Sequence, residues 1–330
     1  MIPRIIESYH KAKEAQISAG IAYQPTPMWK DFISMRQPLI DALDSKDESK
    51  VSDILSDLFR NGSSAFITDY NQWLAIKNKD EVGMGVIADK IEKEVRTWME
   101  FTNYIYPISE LYTPQIGNPY GCYVNDIPVI PSGARYLYYA QKIKAMVDGI
   151  ESPVVAEIGG GLGVVAYYLT RDYNIKYVGF DLPEILVISQ YYLMTAFPEK
   201  KFLLYGERPD EYITSDMIEK YDYVLMPNFM LSKLGNNSVD VFINFHSLSE
   251  VSPETIKEYI EHIARVSKGY FYHENLSMRV RLFDKYNEIS ERDFHTPTDK
   301  FILMSMTPTM WGENIYREYI YKRKRFEVTV

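Results

Sequence analysis

Val154-Val155-Ala156-Glu157-Ile158-Gly159-Gly160-Gly161-Leu162-Gly163 decides the fold. An apolar, β-branched run leads into a glycine turn, and Leu162 to Asp172 continues with helical character. Glycines at such a turn let the backbone approach a ligand, and the helix that follows offers unpaired N–H groups. Beyond it the pattern alternates. Strands are expected at Lys176–Phe180, Phe202–Tyr205, Tyr223–Met226, Val239–Phe245 and Tyr270–His273, with one helix at Glu184–Phe197 and another that Ser252 caps, Pro253 begins and Gly269 follows. Alternating strands and helices imply a parallel sheet covered on both faces. Phe301–Met306 and Ile315–Lys322 have no helix between them and read as an antiparallel hairpin at the sheet edge.

Upstream the chain changes character near residue 130. Val51, Ile54, Leu55, Leu58 and Phe59 form one helical stripe, which Asn61-Gly62 is expected to end through positive φ. A second helix is expected from about Val86 to Tyr106. Ser109–Pro131 carries Pro114, Pro119, Pro128 and Pro131 among aromatics, an ordered-loop composition. Ser132 is expected to cap a helix running to Asp148. Two domains follow: 1–130, mainly helical, with a substrate or dimerisation role, and 131–330, which carries the glycine loop.

Composition removes several classes. The 330 residues hold 36 Lys+Arg and 45 Asp+Glu, a net charge of −9, which opposes nonspecific nucleic-acid binding. The single cysteine, Cys122, cannot form an internal disulfide, and the five histidines include no HExxH. The first 20 residues are charged throughout and lack the apolar stretch of a signal peptide. No run is long enough for a membrane span. A cytoplasmic protein without membrane insertion is expected.

Two ligands suit the glycine loop. Gly161-x-Gly163-x-x-Ala166 fits the dinucleotide fingerprint, with Asp181 at 181 − 161 = 20 residues further on. The alternative frame, acid-x-G-x-G-x-G on Glu157, Gly159, Gly161 and Gly163, resembles motif I of the Rossmann-like S-adenosylmethionine-dependent methyltransferases. Three features favour the latter. Glu157 would repel a pyrophosphate but can serve an ammonium group. The loop follows a helical region and leaves chain for one sheet only. The terminal hairpin matches the antiparallel last strand of that class. The implied fold is α/β, a Rossmann-like methyltransferase sheet, mostly parallel with an antiparallel C-terminal hairpin, preceded by a mainly helical N-terminal domain. An NAD(P)-dependent oxidoreductase and a non-catalytic methyltransferase-like partner are the alternatives.

The chain further resembles the sugar O-methyltransferases of bacterial surface-glycan clusters, over about residues 105 to 320. The resemblance lies in Ile116-Gly117-Asn118-Pro119-Tyr120, the glycine motif, Phe180-Asp181-Leu182-Pro183, Asp240 to Asn244 with Ser247-Leu248-Ser249-Glu250, and Tyr316-Arg317-Glu318. It implies S-adenosyl-L-methionine as cofactor, a sugar or glycan acceptor and a place in polysaccharide biosynthesis. The N-terminal helices could pair two copies into a homodimer.

Methyl transfer to a sugar hydroxyl needs a general base, because the hydroxyl is a poor acid. His246, just past strand Val239–Phe245, is the first candidate. Glu250 is the second, as base or as the group orienting His246, and His273 the third. No adjacent Asp pair follows the relevant strands, so no metal is expected. For the cofactor the candidates are Glu157, Gly159, Gly160, Gly161, Gly163, Asp181 on the ribose, Leu182 beside the adenine, Pro227, Asn228 and Asn244. Tyr112, Asn118, Tyr120, Tyr123 and Trp311 are candidates to contact the sugar. The basic run Lys322-Arg323-Lys324-Arg325 reads first as a solvated strand end.

Overall fold

The structure is a computed structural model and describes residues 1–65, 67, 70–209, 212–282, 285–311 and 314–324; Arg325 of the basic run lies outside them. Six helices come first: α1 (Ile2–Ser18), α2 (Pro27–Ser34), α3 (Gln37–Asp44), α4 (Glu48–Ser56), α5 (Tyr70–Lys77) and α6 (Glu81–Phe101). A short hairpin, β1 (Cys122–Val124) and β2 (Ile127–Val129), interrupts the proline-rich region before α7 (Gly133–Met146). The α/β part runs β3 (Val154–Ile158), α8 (Val164–Asp172), β4 (Lys176–Asp181), α9 (Pro183–Ala196), β5 (Phe202–Leu204), α10 (Ser215–Lys220), β6 (Tyr223–Pro227), β7 (Val239–Phe245), α11 (Pro253–Val266) and β8 (Ser267–Leu276). A second short hairpin, β9 (Val280–Leu282) and β10 (Tyr286–Glu288), precedes β11 (Phe301–Pro308) and β12 (Tyr316–Arg323).

Among the described residues the main sheet has eight strands in the order β11-β12-β8-β7-β3-β4-β6-β5. β12 runs against both of its neighbours, and the other strands share one direction. The last strand is therefore inserted between β8 and β11, and the expected terminal hairpin is present. The fold is Rossmann-like α/β. The chain winds outward in opposite directions from β3 and from β7. This makes the carboxyl ends of those two neighbours the switch point, where open α/β sheets bind ligands.

Side chains alternate across the sheet. On β3, Val155 packs with α7, α8 and α9, while Ala156 and Ile158 join the opposite core with α11. Val241 and Ile243 of β7 face the first core, and Phe242 the second. The N-terminal helices do not build a core of their own. Ile5, Ile6 and Tyr9 of α1 and Leu39 and Leu43 of α3 belong to the same cluster as Leu186 and Val187 of α9. No described helix is long and apolar enough to cross a membrane.

Two local expectations are corrected. α4 stops at Ser56, and Asn61 has φ −128°. Its Nδ2 donates to the carbonyls of Ile54 (2.8 Å) and Asp57 (2.9 Å), so a side chain, not a left-handed backbone, satisfies the helix end. Ser132 makes no side-chain cap. It has φ +62°, and its N–H donates to Glu94 Oε2 at 2.9 Å.

Candidate functional site

The glycine loop floors a cavity of about 240 Å³ at the switch point. Gly159, Gly160, Gly161, Leu162 and Gly163 line it from β3, Asp181 and Leu182 from the end of β4, and His246, Ser247 and Glu250 from beyond β7. Gly159 has φ +75°, and a Cβ there would lie 2.0 Å from Ser247 Oγ. A Cβ on Gly160 would come within 2.9 Å of Glu157 Oε2 and of the Tyr177 hydroxyl. Only glycine lets this loop sit so close to the strand ends.

Three carboxyls line the cavity: Glu157, Asp181 and Glu250. Burial raises each of them to about 7. Glu157 Oε2 accepts from the Tyr177 hydroxyl at 2.5 Å. Asp181 accepts the N–H groups of Gly161 (3.0 Å) and Leu182 (2.7 Å), tying the end of β4 to the loop. Glu250 accepts from Trp29 Nε1 at 3.0 Å. Trp29, with Gln24, Pro25 and Thr26, brings the N-terminal region over this cavity, a contribution that no motif announces. Asn228 lines it too. Its Nδ2 donates to the Tyr23 carbonyl and the Tyr259 hydroxyl, while its Oδ1 is buried without a partner. Against the three carboxyls, the cationic lining among the described residues is Arg135.

A second, outer cavity of about 370 Å³ adjoins it. Phe59, Tyr120, Tyr136, Trp311 and Tyr316 supply aromatic walls, and Lys90, Ser132, Arg135 and His246 the polar ones. Ile67, Arg135, Tyr136, Leu162, Val164 and His246 line both cavities.

His246 stands at this junction. Its backbone has φ +75° and ψ −39°, a positive-φ conformation unusual for a residue with a side chain, and its N–H donates to the Glu274 carbonyl at 2.8 Å. The ring stacks on Tyr316, with centroids 4.6 Å apart. Nε2 lies 2.8 Å from Glu274 Oε1. The Glu274 side chain is fully buried and also accepts from Trp311 Nε1 at 2.9 Å. A carboxylate accepting at Nε2 holds the proton there and leaves Nδ1 with its lone pair. This is the arrangement of an oriented general base.

The structure sorts the candidates. Glu157, the loop glycines, Asp181, Leu182, Asn228, His246 and Glu250 meet in one cavity. Glu250 does not orient His246, because it is bonded to Trp29; Glu274 has that place. His273 is corrected as a base. Fully buried between Phe271, Phe294, Tyr319 and Tyr321, it is pushed down to about 3 by desolvation and lines neither cavity. Asn244 is corrected as a ligand group. Its amide is fully buried and bonded to the Ile158 carbonyl, Ser247, Leu248 N–H and Asn275, bracing the strand ends under the loop. Pro227 is buried at the end of β6 and lines neither cavity.

Of the acceptor-side candidates, Tyr120 and Trp311 share the outer cavity. Tyr112 and Tyr123 are exposed elsewhere, and Asn118 is bonded to Asp57 on the surface. Arg135, Tyr136, Glu274 and Tyr316 were not anticipated from the sequence. Of these, Tyr316 carried a readable signal as the first residue of the run Tyr316-Arg317-Glu318, and Glu274 as the neighbour of His273 on β8.

No known family model matches the chain, and no curated protein does. Solved structures show a weak likeness over part of the chain. A protein from Pyrococcus horikoshii OT3 is 12% identical with a TM-score of 0.41. Mitomycin 7-O-methyltransferase is 14% identical at 0.39, and so is magnesium protoporphyrin IX methyltransferase from Synechocystis PCC 6803, solved with bound SAM. The matched stretches take in 58%, 59% and 58% of this chain and 92%, 56% and 81% of theirs, so the chain spans about half of the mitomycin enzyme.

Proposed function

We propose that the protein is an S-adenosylmethionine-dependent O-methyltransferase whose acceptor is a sugar hydroxyl. One observation carries this reading. His246, backed by Glu274, lines both an acidic, glycine-floored cavity and an aromatic one. The two cavities then correspond to cofactor and acceptor, with the base between them.

The residues of the inner cavity fit S-adenosylmethionine. Glu157 suits its ammonium group and Asp181 its ribose hydroxyls, while the unpartnered Oδ1 of Asn228 is an acceptor for an exocyclic amine. Leu182 offers apolar surface beside it. The three carboxyls favour a cation and oppose the pyrophosphate of a dinucleotide. When bound, the cofactor supplies an activated methyl group on a sulfonium. The chain then has two tasks, to hold the acceptor oxygen in line and to remove its proton.

His246 Nδ1 takes that proton. Glu274 keeps Nε2–H in place and stabilises the imidazolium that forms. Tyr316, stacked on the imidazole, and Trp311, bonded to Glu274, fix the ring. Tyr120 and Trp311 offer faces for the apolar side of a pyranose.

Thermal melting with S-adenosylhomocysteine tests the cofactor. A saturating ligand that binds only the folded chain raises the melting temperature, and no shift overturns the reading. Methyl transfer is then assayed over a panel of free and nucleotide-linked sugars.

A further inference from the structure

We infer that the acceptor carries an anionic group, bound by Arg135 beside the hydroxyl that is methylated. This rests on the methyltransferase reading and narrows its substrate. Arg135 lies in the first turn of α7 and lines both cavities. Its guanidinium lies 3.1 Å over the Trp311 ring. That stacking leaves the in-plane N–H donors for a ligand. Few of them are used: Nη2 reaches the Tyr136 hydroxyl at 3.4 Å, and Nε is buried without a partner. No carboxylate among the described residues forms an ion pair with it.

The surroundings point the same way. The charged residues lining the outer cavity, among those described, are Lys90 and Arg135, with His246; Glu94, which accepts from the Ser132 N–H, and Glu274 are not among its lining residues. Glu274 is withdrawn behind His246 and Trp311, with both of which it is bonded. A half-buried fork of donors that makes no direct ion pair with a described carboxylate, although Glu274 and Glu94 act on it from further off, recognises a carboxylate or a phosphate in bidentate fashion. A sugar bearing either meets Arg135 with its anion and the aromatic walls with its ring. The carboxylate of a hexuronic acid and the phosphate of a sugar phosphate share this chemistry.

Calorimetry on the full chain with D-glucuronate, α-D-glucose 1-phosphate and D-glucose separates the possibilities without needing turnover. The inference expects at least one anionic probe to bind about tenfold more tightly than glucose, in a salt-sensitive way. Whichever anion wins identifies the source. Arg135→Gln should abolish the preference, whereas Arg135→Lys retains part of it; a melting temperature near that of the parent certifies that each variant is folded. Glucose binding as tightly as both anions, no binding of either anion, or a preference that survives Arg135→Gln overturns the inference. The same titration with S-adenosylhomocysteine is read separately. Its failure would refute the cofactor reading and leave the anion preference standing.

Discussion

The two cavities that meet at His246 are built in opposite ways. The inner one carries Glu157, Asp181 and Glu250 on glycine-rich backbone; the outer one carries Lys90 and Arg135 among aromatic rings. The inner one comes largely from the carboxyl ends of β3, β4 and β7, where the alternation of the fold brings ligand groups together. The outer one draws on residues 59, 90, 120, 130–132, 135, 136, 311 and 316, which only the tertiary structure assembles. A cavity made by topology has a motif. A cavity made by packing has no single motif: Tyr120, Trp311 and Tyr316 were marked separately in the sequence, and their joint chemistry with Arg135 becomes visible only when the residues are seen together.

The largest effect is expected at the junction. His246→Ala should lower kcat by about 10²–10⁴-fold, the usual range for a lost general base. S-adenosylhomocysteine should still stabilise the variant, because the carboxyls and the loop remain. Turnover close to the parent's would mean that the two cavities do not meet in a catalytic base. Glu274→Gln probes the same point from behind. An amide can donate to Nε2 and favour the wrong tautomer, so kcat should fall by about 10²-fold. Glu274→Asp should recover part of it. A purely structural role for Glu274 would instead lower the melting temperature and leave the pH–rate profile unmoved.

Asp181→Ala tests the inner cavity alone. Each charge-assisted hydrogen bond to a ribose hydroxyl is worth about 1.5–3 kcal/mol, so cofactor affinity should fall by about 10–100-fold in calorimetry. Gly161 N–H also loses its acceptor, and Asp181→Asn, which keeps an oxygen there, separates loop geometry from charge. Acceptor binding in the outer cavity should not change. If it weakens as much as cofactor binding, the cavities are not the separate compartments described above.

The sequence disclosed this division unevenly. The strand–glycine–helix unit and the acid ending β4 are local patterns with a local cause, and they led directly to the inner cavity. β8 shows where such reading stops. Tyr270-Phe271-Tyr272-His273-Glu274-Asn275 is aromatic or polar on both faces, so no amphipathic alternation tells which side of the strand faces the site. Parity decides. Tyr272 packs in the core under α7 and Phe271 in the core with α11, so Glu274 reaches His246 while His273 is sealed in the opposite core. Asn244 posed a different difficulty. A polar residue at a strand end suits a ligand or an internal bond equally, and here Asn275 and the Ile158 carbonyl use it. Trp29 and Arg135 sit on ordinary-looking helices, and nothing in their neighbours' spacing marks them as wall residues.

The smallest predicted effect discriminates best between ligands, because its sign differs. Glu157, Asp181 and Glu250 are raised by burial to about 7, above their ordinary values near 4. In the free protein the folded state therefore holds more protons than the unfolded chain between about pH 4 and 7. These groups favour folding most at acid pH, and their contribution is lost as pH rises through 7. A cationic ligand needs the carboxylates ionised, so its binding releases protons. From pH 6 to pH 8 the affinity for S-adenosylhomocysteine, whose ammonium faces Glu157 in this reading, should rise by up to about tenfold for one such group. The stabilisation on ligand addition should grow while the free protein's melting temperature declines. A dinucleotide would behave in reverse. Its pyrophosphate is tolerated best beside protonated carboxyls, so NAD affinity would fall over the same interval. Calorimetry at pH 6 and pH 8, in buffers of different ionisation enthalpy, reads both the affinity and the protons released. Proton uptake, or affinity that falls with pH, would break the contrast between an inner cavity built for a cation and an outer one built for an anion.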